Sequence, residues 1–183
     1  MIIRYKIFNE SLKDKLKGKS NDDLLKLLKR MNNSDRIEKI IEYNLSYNLL
    51  PDKLVIENNL ECSYCELTSL PDDLTVEGNL YCTNNKLTSL PNNLIVEGNF
   101  YCSNNRLTLL PDNLRVGESI NCSNNKLISL PDNLKIYGDL YCTNNKLTSL
   151  PYDLIVEGNF YCKNNLLLRD IKKPIGVKGN MYI

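Results

Sequence analysis

The feature that most constrains this chain is a repeat of fixed length. Each copy opens with a proline and follows the pattern LPxxLxVxGNLYCxNNxLTS, counting the leucine that precedes the proline. Six full 20-residue copies run without insertions, and a truncated seventh, PIGVKGNMYI, follows after a slip of one residue. A period of this length predicts a solenoid in which every coil buries its apolar side against its neighbours. The prolines that open the full copies are Pro51, Pro71, Pro91, Pro111, Pro131 and Pro151.

Each copy alternates apolar and polar residues with the period of a β-strand. In the second copy the inward positions are Leu74, Val76, Leu80 and Cys82, and the outward positions are Thr75, Glu77, Tyr81 and Thr83. Gly78 and Asn79 lie between the two halves of this pattern and are typical of a bend or bulge. We therefore expect one or two short strands per coil, stacked in parallel. Leu87 and Leu90 return to the core, and Pro91 ends the pairing.

The chain divides into two parts of opposite charge. Residues 1–50 carry 11 basic and 7 acidic side chains, a net charge of +4, whereas residues 51–183 carry a net charge of −3. The first part shows three short helical patterns with apolar stripes, which need a surface to cover. We therefore predict a helical leader and N-terminal cap over residues 1–50 and the solenoid over residues 51–183. At the other end Ile183 takes the place of the repeated cysteine, so that end is expected to be weakly capped or covered by another chain.

The composition argues against most enzymes. None of the 183 residues is a histidine. Its absence excludes Ser-His-Asp and Cys-His catalysis and removes the commonest metal ligand. A net charge of +1 gives no global attraction to nucleic acid or anionic lipid. No apolar run approaches the ~20 residues of a membrane helix, and the first residues lack the layout of an export signal. We expect no catalytic residue, no cofactor and a location in the cytoplasm.

One stretch of each copy carries a family resemblance. The spacing Leu80-x-Cys82-x-x-Asn85-x-Leu87-x-x-Leu90-Pro91 resembles the leucine-rich-repeat signature LxLxxNxLxxLP, with cysteine in the second leucine position. The 20-residue length is similar to the short repeats of secreted bacterial ubiquitin-ligase effectors. The fuller pattern is similar to repeat proteins of large bacteriophages, and the opening FNESLKDKLKGKS resembles a leader shared by several phage proteins.

This resemblance implies a right-handed solenoid with a parallel sheet on its inner face, used to bind other macromolecules. Val76 and Gly78 have no place in the family's standard consensus. A curved horseshoe and a flatter β-solenoid are therefore both open. The effector ligases carry a separate catalytic domain after the repeats, whereas this chain ends at Ile183. The expected protein is accordingly not an enzyme.

The cysteines follow the repeat. The functional alternatives for these residues are a disulfide, a metal ligand and a catalytic nucleophile. Neighbouring side chains on parallel strands point the same way, which is a poor geometry for a disulfide. Cys65 makes a lone CxxC with Cys62 and lies where the next coil has Asn85, and a zinc site would need a second pair. We expect small buried thiols in a reducing compartment. The cysteines that recur once in every full copy are Cys62, Cys82, Cys102, Cys122, Cys142 and Cys162.

A row of asparagines follows the strands at the turn of each coil. Buried asparagine side chains can satisfy backbone groups of the next coil. A calcium site would need clustered carboxylates, and the neighbours are Asn, Lys and Leu, so no metal site is predicted. The row consists of Asn85, Asn105, Asn125, Asn145 and Asn165.

The outward face of the sheet is the candidate binding surface. Tyrosine favours interfaces because it offers a large rigid area and a hydroxyl group. Packing between tyrosines on adjacent strands is the structural alternative, and the two can coexist. Thr83, Ser103, Ser123, Thr143 and Lys163 flank the tyrosines on one side. The candidate partner-binding residues are Tyr81, Tyr101, Asn121, Tyr141 and Tyr161 in the central row, with Glu77, Glu97, Tyr137 and Glu157 on the other side.

These observations favour a non-catalytic, phage-encoded scaffold that binds a host or virion protein through the tyrosine face. One alternative is a virion-associated structural module docked by its leader. Another is a carbohydrate-recognition module. Nucleic acid is disfavoured because the aromatic residues lie beside glutamates rather than lysines and arginines. No membrane partner is expected, and the host cytoplasm is the expected location.

Overall fold

A computed structural model of the chain describes residues 55–167 and 171–183. Each coil contains two strands of two residues, separated by a bend. The first strands of the coils are β1 (Val55–Ile56), β3 (Thr75–Val76), β5 (Ile95–Val96), β7 (Arg115–Val116), β9 (Lys135–Ile136) and β11 (Ile155–Val156). The second strands are β2 (Leu60–Glu61), β4 (Leu80–Tyr81), β6 (Phe100–Tyr101), β8 (Ile120–Asn121), β10 (Leu140–Tyr141), β12 (Phe160–Tyr161) and β13 (Met181–Tyr182).

The two sets of strands form two parallel sheets. The six first strands make one sheet in chain order, and the seven second strands make the other. Partners along each sheet are one full repeat apart, as in Leu80 beside Phe100 and Tyr81 beside Tyr101. The predicted repeat solenoid with stacked parallel strands is therefore confirmed, with two strands per coil. The leader and cap predicted for residues 1–50 lie outside the described residues.

The core consists of the inward positions of every coil. Leu74, Val76, Leu80 and Cys82 are each fully buried, and the outward residues of the same strands are not. Burying one such aliphatic side chain contributes roughly 1.5–3 kcal/mol. Because every coil contributes the same positions, the core runs as continuous rows along the solenoid.

In four of the six full coils the bend between the two strands ends in a glycine followed by a polar residue. A Cβ atom at Gly78 would lie 2.8 Å from the backbone of Asn58 and Asn59, so the preceding coil leaves no room for a side chain. The backbone N–H of the next residue, Asn79, donates a hydrogen bond to Oδ1 of Asn59 in that coil at 2.7 Å. The same side-chain-to-backbone bond joins each successive pair of coils along Asn79, Asn99, Ser119, Asp139, Asn159 and Asn180. This bend ladder was not predicted from the sequence.

The predicted asparagine row forms a second ladder at the turn after the second strand. Oδ1 of Asn85 accepts from the N–H of Leu67 at 3.0 Å, and Nδ2 donates to the carbonyls of Cys62 and Cys82, both at 2.9 Å. Two of these three partners belong to the preceding coil, whereas the sequence prediction placed them in the next one. The geometry repeats at Asn105, Asn125, Asn145 and Asn165.

The first residue of each Asn-Asn pair has a different task from the second. Asn84 adopts a φ of 57°, in the left-handed region that asparagine tolerates better than most residues. Its N–H bonds to the carbonyl of Ser103 in the following coil at 3.0 Å. One asparagine therefore turns the chain, and the other, one residue later, connects neighbouring coils.

The truncated seventh copy continues the second sheet despite its one-residue slip. Met181 lies beside Phe160 and Tyr182 beside Tyr161, an offset of one full repeat plus one residue. Val177 bridges to Val156 in the same shifted alignment and is buried. The slip is therefore absorbed before Val177, and Ile183 comes directly after β13, at the position of the repeated cysteine.

Candidate functional site

The outward residues of the seven-stranded sheet form a column of stacked tyrosine rings. The rings of Tyr81 and Tyr101 are parallel within 4°, with centroids 4.9 Å apart. Tyr141 stacks on Tyr161 at 4.6 Å, and Tyr161 stacks on Tyr182 at 4.7 Å. Stacking follows from the fold, since parallel strands lie about 4.8 Å apart and hold equivalent side chains at that spacing. We call these five residues the tyrosine column: Tyr81, Tyr101, Tyr141, Tyr161 and Tyr182.

Tyr182 is the member of the column that the sequence analysis missed. It lies in the truncated copy, where NMYI replaces NLYC and the slip of one residue hides the alignment. The match of the Asn-x-Tyr triplet in the two copies is the signal that identifies it. The four predicted tyrosines of the central row are brought together as expected, in two separate stacks.

The column is interrupted where the central row lacks tyrosine. Oδ1 of Asn121 accepts from the N–H of Ser123 at 3.1 Å, two residues further along the same coil. Glu61, in the first described coil, makes the equivalent bond to the N–H of Ser63 at 3.0 Å. Both side chains therefore turn back onto their own backbone instead of extending outward beside the rings.

The bend ladder lies beside the hydroxyl ends of the column. Nδ2 of Asn79 donates to the hydroxyl of Tyr81 at 3.2 Å, and the hydroxyl of Tyr141 donates to the carboxylate of Asp139 at 2.9 Å. The bond to Asp139, with added burial, raises the pKa of Tyr141 to about 12. These contacts orient the phenol groups of Tyr81 and Tyr141 and give the column a polar margin.

The predicted acidic row lies further from the tyrosines than the sequence suggested. Glu77, Glu97 and Glu157 come directly after strands of the six-stranded sheet, and the bend separates them from the column in each coil. Their charge is also partly compensated, because Lys178 pairs with Glu157 at 2.5 Å. The row is therefore a neighbour of the column across the bend and not its immediate flank.

Around Tyr137 the outer surface is mixed in charge. Nζ of Lys135 lies 4.4 Å from the centroid of the Tyr137 ring, a cation–π contact on an exposed aromatic side chain. The residue equivalent to Tyr137 in the preceding coil is Gly117, which carries no side chain. A cleft of about 410 Å³ opens there. Glu97, Arg115, Lys135 and Tyr137 line it. The predicted residues Glu97 and Tyr137 thus share a cleft with two cations.

The hydroxyl row on the other side of the column serves the backbone. Oγ1 of Thr83 donates to the carbonyl of Tyr101 at 3.3 Å, and Thr143 makes the same contact with Tyr161 at 3.5 Å. Ser103 is buried. This row therefore supports the tyrosine strands more than it offers free groups to a ligand.

The repeated cysteines line the core as predicted. All six are buried with free thiols, whereas Cys65 is exposed. Burial raises the pKa of each ladder thiol, to about 12 at Cys122 and about 11 at Cys162. A thiol of this kind is a poor nucleophile at neutral pH, because the thiolate is the reactive form.

The described residues contain no group of three or more cysteine, aspartate or glutamate side chains that could hold a metal ion. Over the same residues, no helix has the length and apolar character needed to cross a membrane.

Comparison with known proteins gives structural neighbours only. No protein-family model and no curated protein matches the chain. Among solved structures, YopM from Yersinia enterocolitica WA-314 is 21% identical over 90% of this chain and 42% of its own, with a TM-score of 0.43. The chain therefore spans less than half the length of that protein.

Two further solved structures are similar. The leucine-rich-repeat domain of a Shigella effector is 18% identical over 90% of this chain and 99% of its own, with a TM-score of 0.38. YopM of Yersinia pestis, a leucine-rich effector protein, is 19% identical over 87% of this chain and 58% of its own, with a TM-score of 0.35. These neighbours are leucine-rich-repeat proteins.

Proposed function

We propose that the solenoid is a non-catalytic scaffold that binds a polypeptide partner through the tyrosine column. The observation that carries this proposal is the column itself, with five half-exposed or exposed phenol groups aligned on one sheet. Stacking and hydrogen bonds already restrict these rings, so little side-chain entropy is lost when a partner covers them. Rigid tyrosines of this kind are favoured at protein interfaces.

The stacking favours a polypeptide over carbohydrate or nucleic acid. Sugars and bases stack on the faces of aromatic rings. Within each stack of the column the faces are covered by the next ring, at centroid separations of 4.6–4.9 Å. Apart from the faces of Tyr101 and Tyr141 on either side of Asn121, the column therefore offers mainly ring edges and hydroxyl groups, which suit the mixed apolar and polar surface of a protein.

The placement of the thiols supports the non-catalytic part of the proposal. Cysteine is the strongest nucleophile among the side chains of this chain. The six ladder thiols are enclosed in the core with raised pKa values. They fill space between coils and do not face the column. We assign them to packing.

We further propose that the partner is a host or virion protein and that the scaffold works in a reducing cytoplasm. The support for the first part is the likeness of the repeat and of FNESLKDKLKGKS to phage-encoded proteins. The support for the second part is the row of six buried free thiols.

The test is affinity purification from expressing or infected cells with the full chain as bait. Tyr101→Ala with Tyr141→Ala should abolish capture of the specific partner, because it removes one ring from each stack. The matched control removes two exposed tyrosines outside the column, Tyr64→Asn with Tyr152→Asn, and should capture the partner as wild type does. Undiminished capture by the column variant would contradict the proposal.

A further inference from the structure

The interruption of the tyrosine column leaves a gap of defined width. Tyr101 and Tyr141 are each in register with Asn121, so their strands are two steps apart in the sheet. At ~4.8 Å per step, the two rings lie about 9.6 Å apart. The stacked pairs of the column keep the same spacing, 4.6–4.9 Å per step. One planar group centred in the gap would therefore stack on both rings at the spacing that the column already uses.

Asn121 does not occupy this gap with a planar ring of its own. Its side chain is short, and its Oδ1 is held by the N–H of Ser123 at 3.1 Å. Among the described residues, the stacked partner of Tyr101 is Tyr81 and that of Tyr141 is Tyr161. One face of Tyr101 and one face of Tyr141 are thus the two inner walls of the gap, and neither is covered by another aromatic ring of the described chain.

The margin of the gap carries two carboxylates. Asp139 accepts a hydrogen bond from the hydroxyl of Tyr141, and Glu118 accepts one from Nδ2 of Asn99. Glu118 lies in the bend of the fourth coil, which contains Asn121, and Asp139 lies in the bend of the fifth coil, which contains Tyr141. Neither carboxylate forms an ion pair with a described lysine or arginine. Over the described residues the margin is therefore negative and uncompensated.

We propose that the gap at Asn121 binds an arginine side chain of the polypeptide partner, stacked between Tyr101 and Tyr141. This inference rests on the proposed function and adds the chemistry that the partner must present. A guanidinium is planar, stacks on aromatic faces and is attracted by their electron density. Its N–H groups can donate to Asp139 and Glu118 at the margin, and these carboxylates favour a cation over a neutral aromatic ring. Lysine carries the charge but lacks the plane.

The probe is a blocked pentapeptide with one central arginine, titrated into the full chain while the tyrosine ring resonances are followed by NMR. The arginine peptide should shift the rings of Tyr101 and Tyr141 and leave those of Tyr64 and Tyr152 in place. Peptides with lysine or with citrulline, which is planar but neutral, should bind at least about fivefold more weakly. Equal binding of the three peptides, or shifts confined to other tyrosines, would overturn the proposal.

Two substitutions at one position test the gap directly. Asn121→Tyr introduces the residue that the second, third, fifth and sixth coils have at this position and fills the gap. The arginine peptide should then no longer shift the rings, while the protein stays folded. Asn121→Ser is the matched control, because it leaves the gap open and should keep the binding. Asn121→Phe repeats the first test without an added hydroxyl. Unchanged binding by both filled variants would overturn the inference.

The same variants separate this inference from the proposed function. Partner capture that is lost with Tyr101→Ala and Tyr141→Ala but retained with Asn121→Tyr would refute the arginine site and leave the tyrosine surface intact. Capture retained by all variants would refute both.

Discussion

At the scale of single residues, paired asparagines hold the coils together by two different means. The second asparagine of each pair lies among buried backbone groups and bonds to three of them. At Asn125 these are the N–H of Leu107 and the carbonyls of Cys102 and Cys122. A buried backbone group that loses its partner costs about 1–3 kcal/mol.

Asn125→Ala should therefore lower the free energy of unfolding by about 2–4 kcal/mol, since it leaves at least one N–H and one carbonyl unpaired. Urea denaturation followed by circular dichroism measures the change. Asn113→Ala is the control, because Asn113 is exposed and makes a single long bond of 3.4 Å to Asn93. That control should stay within about 0.5 kcal/mol of wild type. Equal effects of the two substitutions would contradict the ladder's role.

The first asparagine of each pair is replaced by tyrosine in one coil. Tyr64 adopts a φ of 59°, at the position where Asn84 and its equivalents have 55–57°. A bulky residue is strained in this left-handed region, where asparagine is tolerated. The side chain of Tyr64 is also 77% exposed and gives little packing in return.

Tyr64→Asn should accordingly raise the free energy of unfolding by about 0.5–1 kcal/mol. Tyr152→Asn serves as the comparison, because Tyr152 is 87% exposed and does not have a positive φ. The comparison should leave the urea midpoint unchanged. A loss of stability in Tyr64→Asn would show that the ring contributes more than the strain costs.

Some of these residue roles could be predicted from the sequence and others could not. The turn ladder was predictable because asparagine recurs at one position of every described coil but the first, although the sequence does not show which neighbour it binds. The bend ladder was hidden because its members differ: Asn79, Ser119 and Asp139 share only an oxygen that can accept a bond. Gly78-Asn79 also matches an ordinary turn, which masked its contacts between coils.

At the scale of strands, the inward row of cysteines makes stability depend on pH. Burial raises the pKa of all six thiols above the ordinary cysteine value of about 8.5. Below that value the thiols are protonated in both folded and unfolded chains, and ionisation does not affect folding. Above it the unfolded chain ionises first, so stability falls as pH rises towards the folded pKa values.

The urea midpoint should therefore be constant between about pH 7 and pH 8 and should fall steeply above about pH 9. Cys102→Ala with Cys122→Ala removes two of the six titrating groups. Between about pH 8.5 and pH 9.5 tyrosine and lysine contribute least to the titration. In this range the urea midpoint of the variant should fall with pH about a third less steeply than that of wild type. The same slope in both proteins would indicate that the thiols are not the groups that titrate.

The strand pattern was predictable, whereas the relation between the two strand rows was not. Period-two alternation identified the buried rows, because every inward position is apolar in each copy. Alternation alone treats Glu77 and Tyr81 as neighbours on one face, since both are odd-numbered outward positions. The bend at Gly78 divides the coil into two sheets, and this change of direction depends on the close approach of backbones from adjacent coils.

At the scale of the whole molecule, each described coil pairs only with its neighbours along the two sheets. Stability in such an array is a sum of coil terms and interface terms. A coil can therefore be removed without loss of the fold, provided that the cut takes out one complete repeat.

Deleting residues 111–130 should leave a folded solenoid, because Leu110 then precedes Pro131 and restores the Leu-Pro step of the repeat. The m-value, which is the slope of the free energy of unfolding against urea concentration, should fall by about a sixth because less surface is exposed on unfolding. Circular dichroism and urea titration test both points. Deleting residues 115–124 removes half a coil and should abolish cooperative unfolding. Equal tolerance of the two deletions would contradict the register of the sheets.

The repeat could be predicted to form a solenoid because its period is fixed and its inward strand positions are apolar in every full copy. The column's use as an interface could not, because the same tyrosines also pack on one another. Within each stack the rings pack through their faces. The edges, the hydroxyl groups and the two open faces beside Asn121 remain for a partner. Only the response of these side chains to a partner separates the two roles.

The most direct measurement is oxidative footprinting of the purified complex of the full chain with its captured partner. The reactivity of each tyrosine, read by mass spectrometry, is compared with and without the partner. If the partner binds through the column, Tyr81, Tyr101, Tyr141, Tyr161 and Tyr182 become protected together, while Tyr64 and Tyr152 react as before. Protection of Tyr64 or Tyr152 with a column that stays fully reactive would contradict this mode of binding.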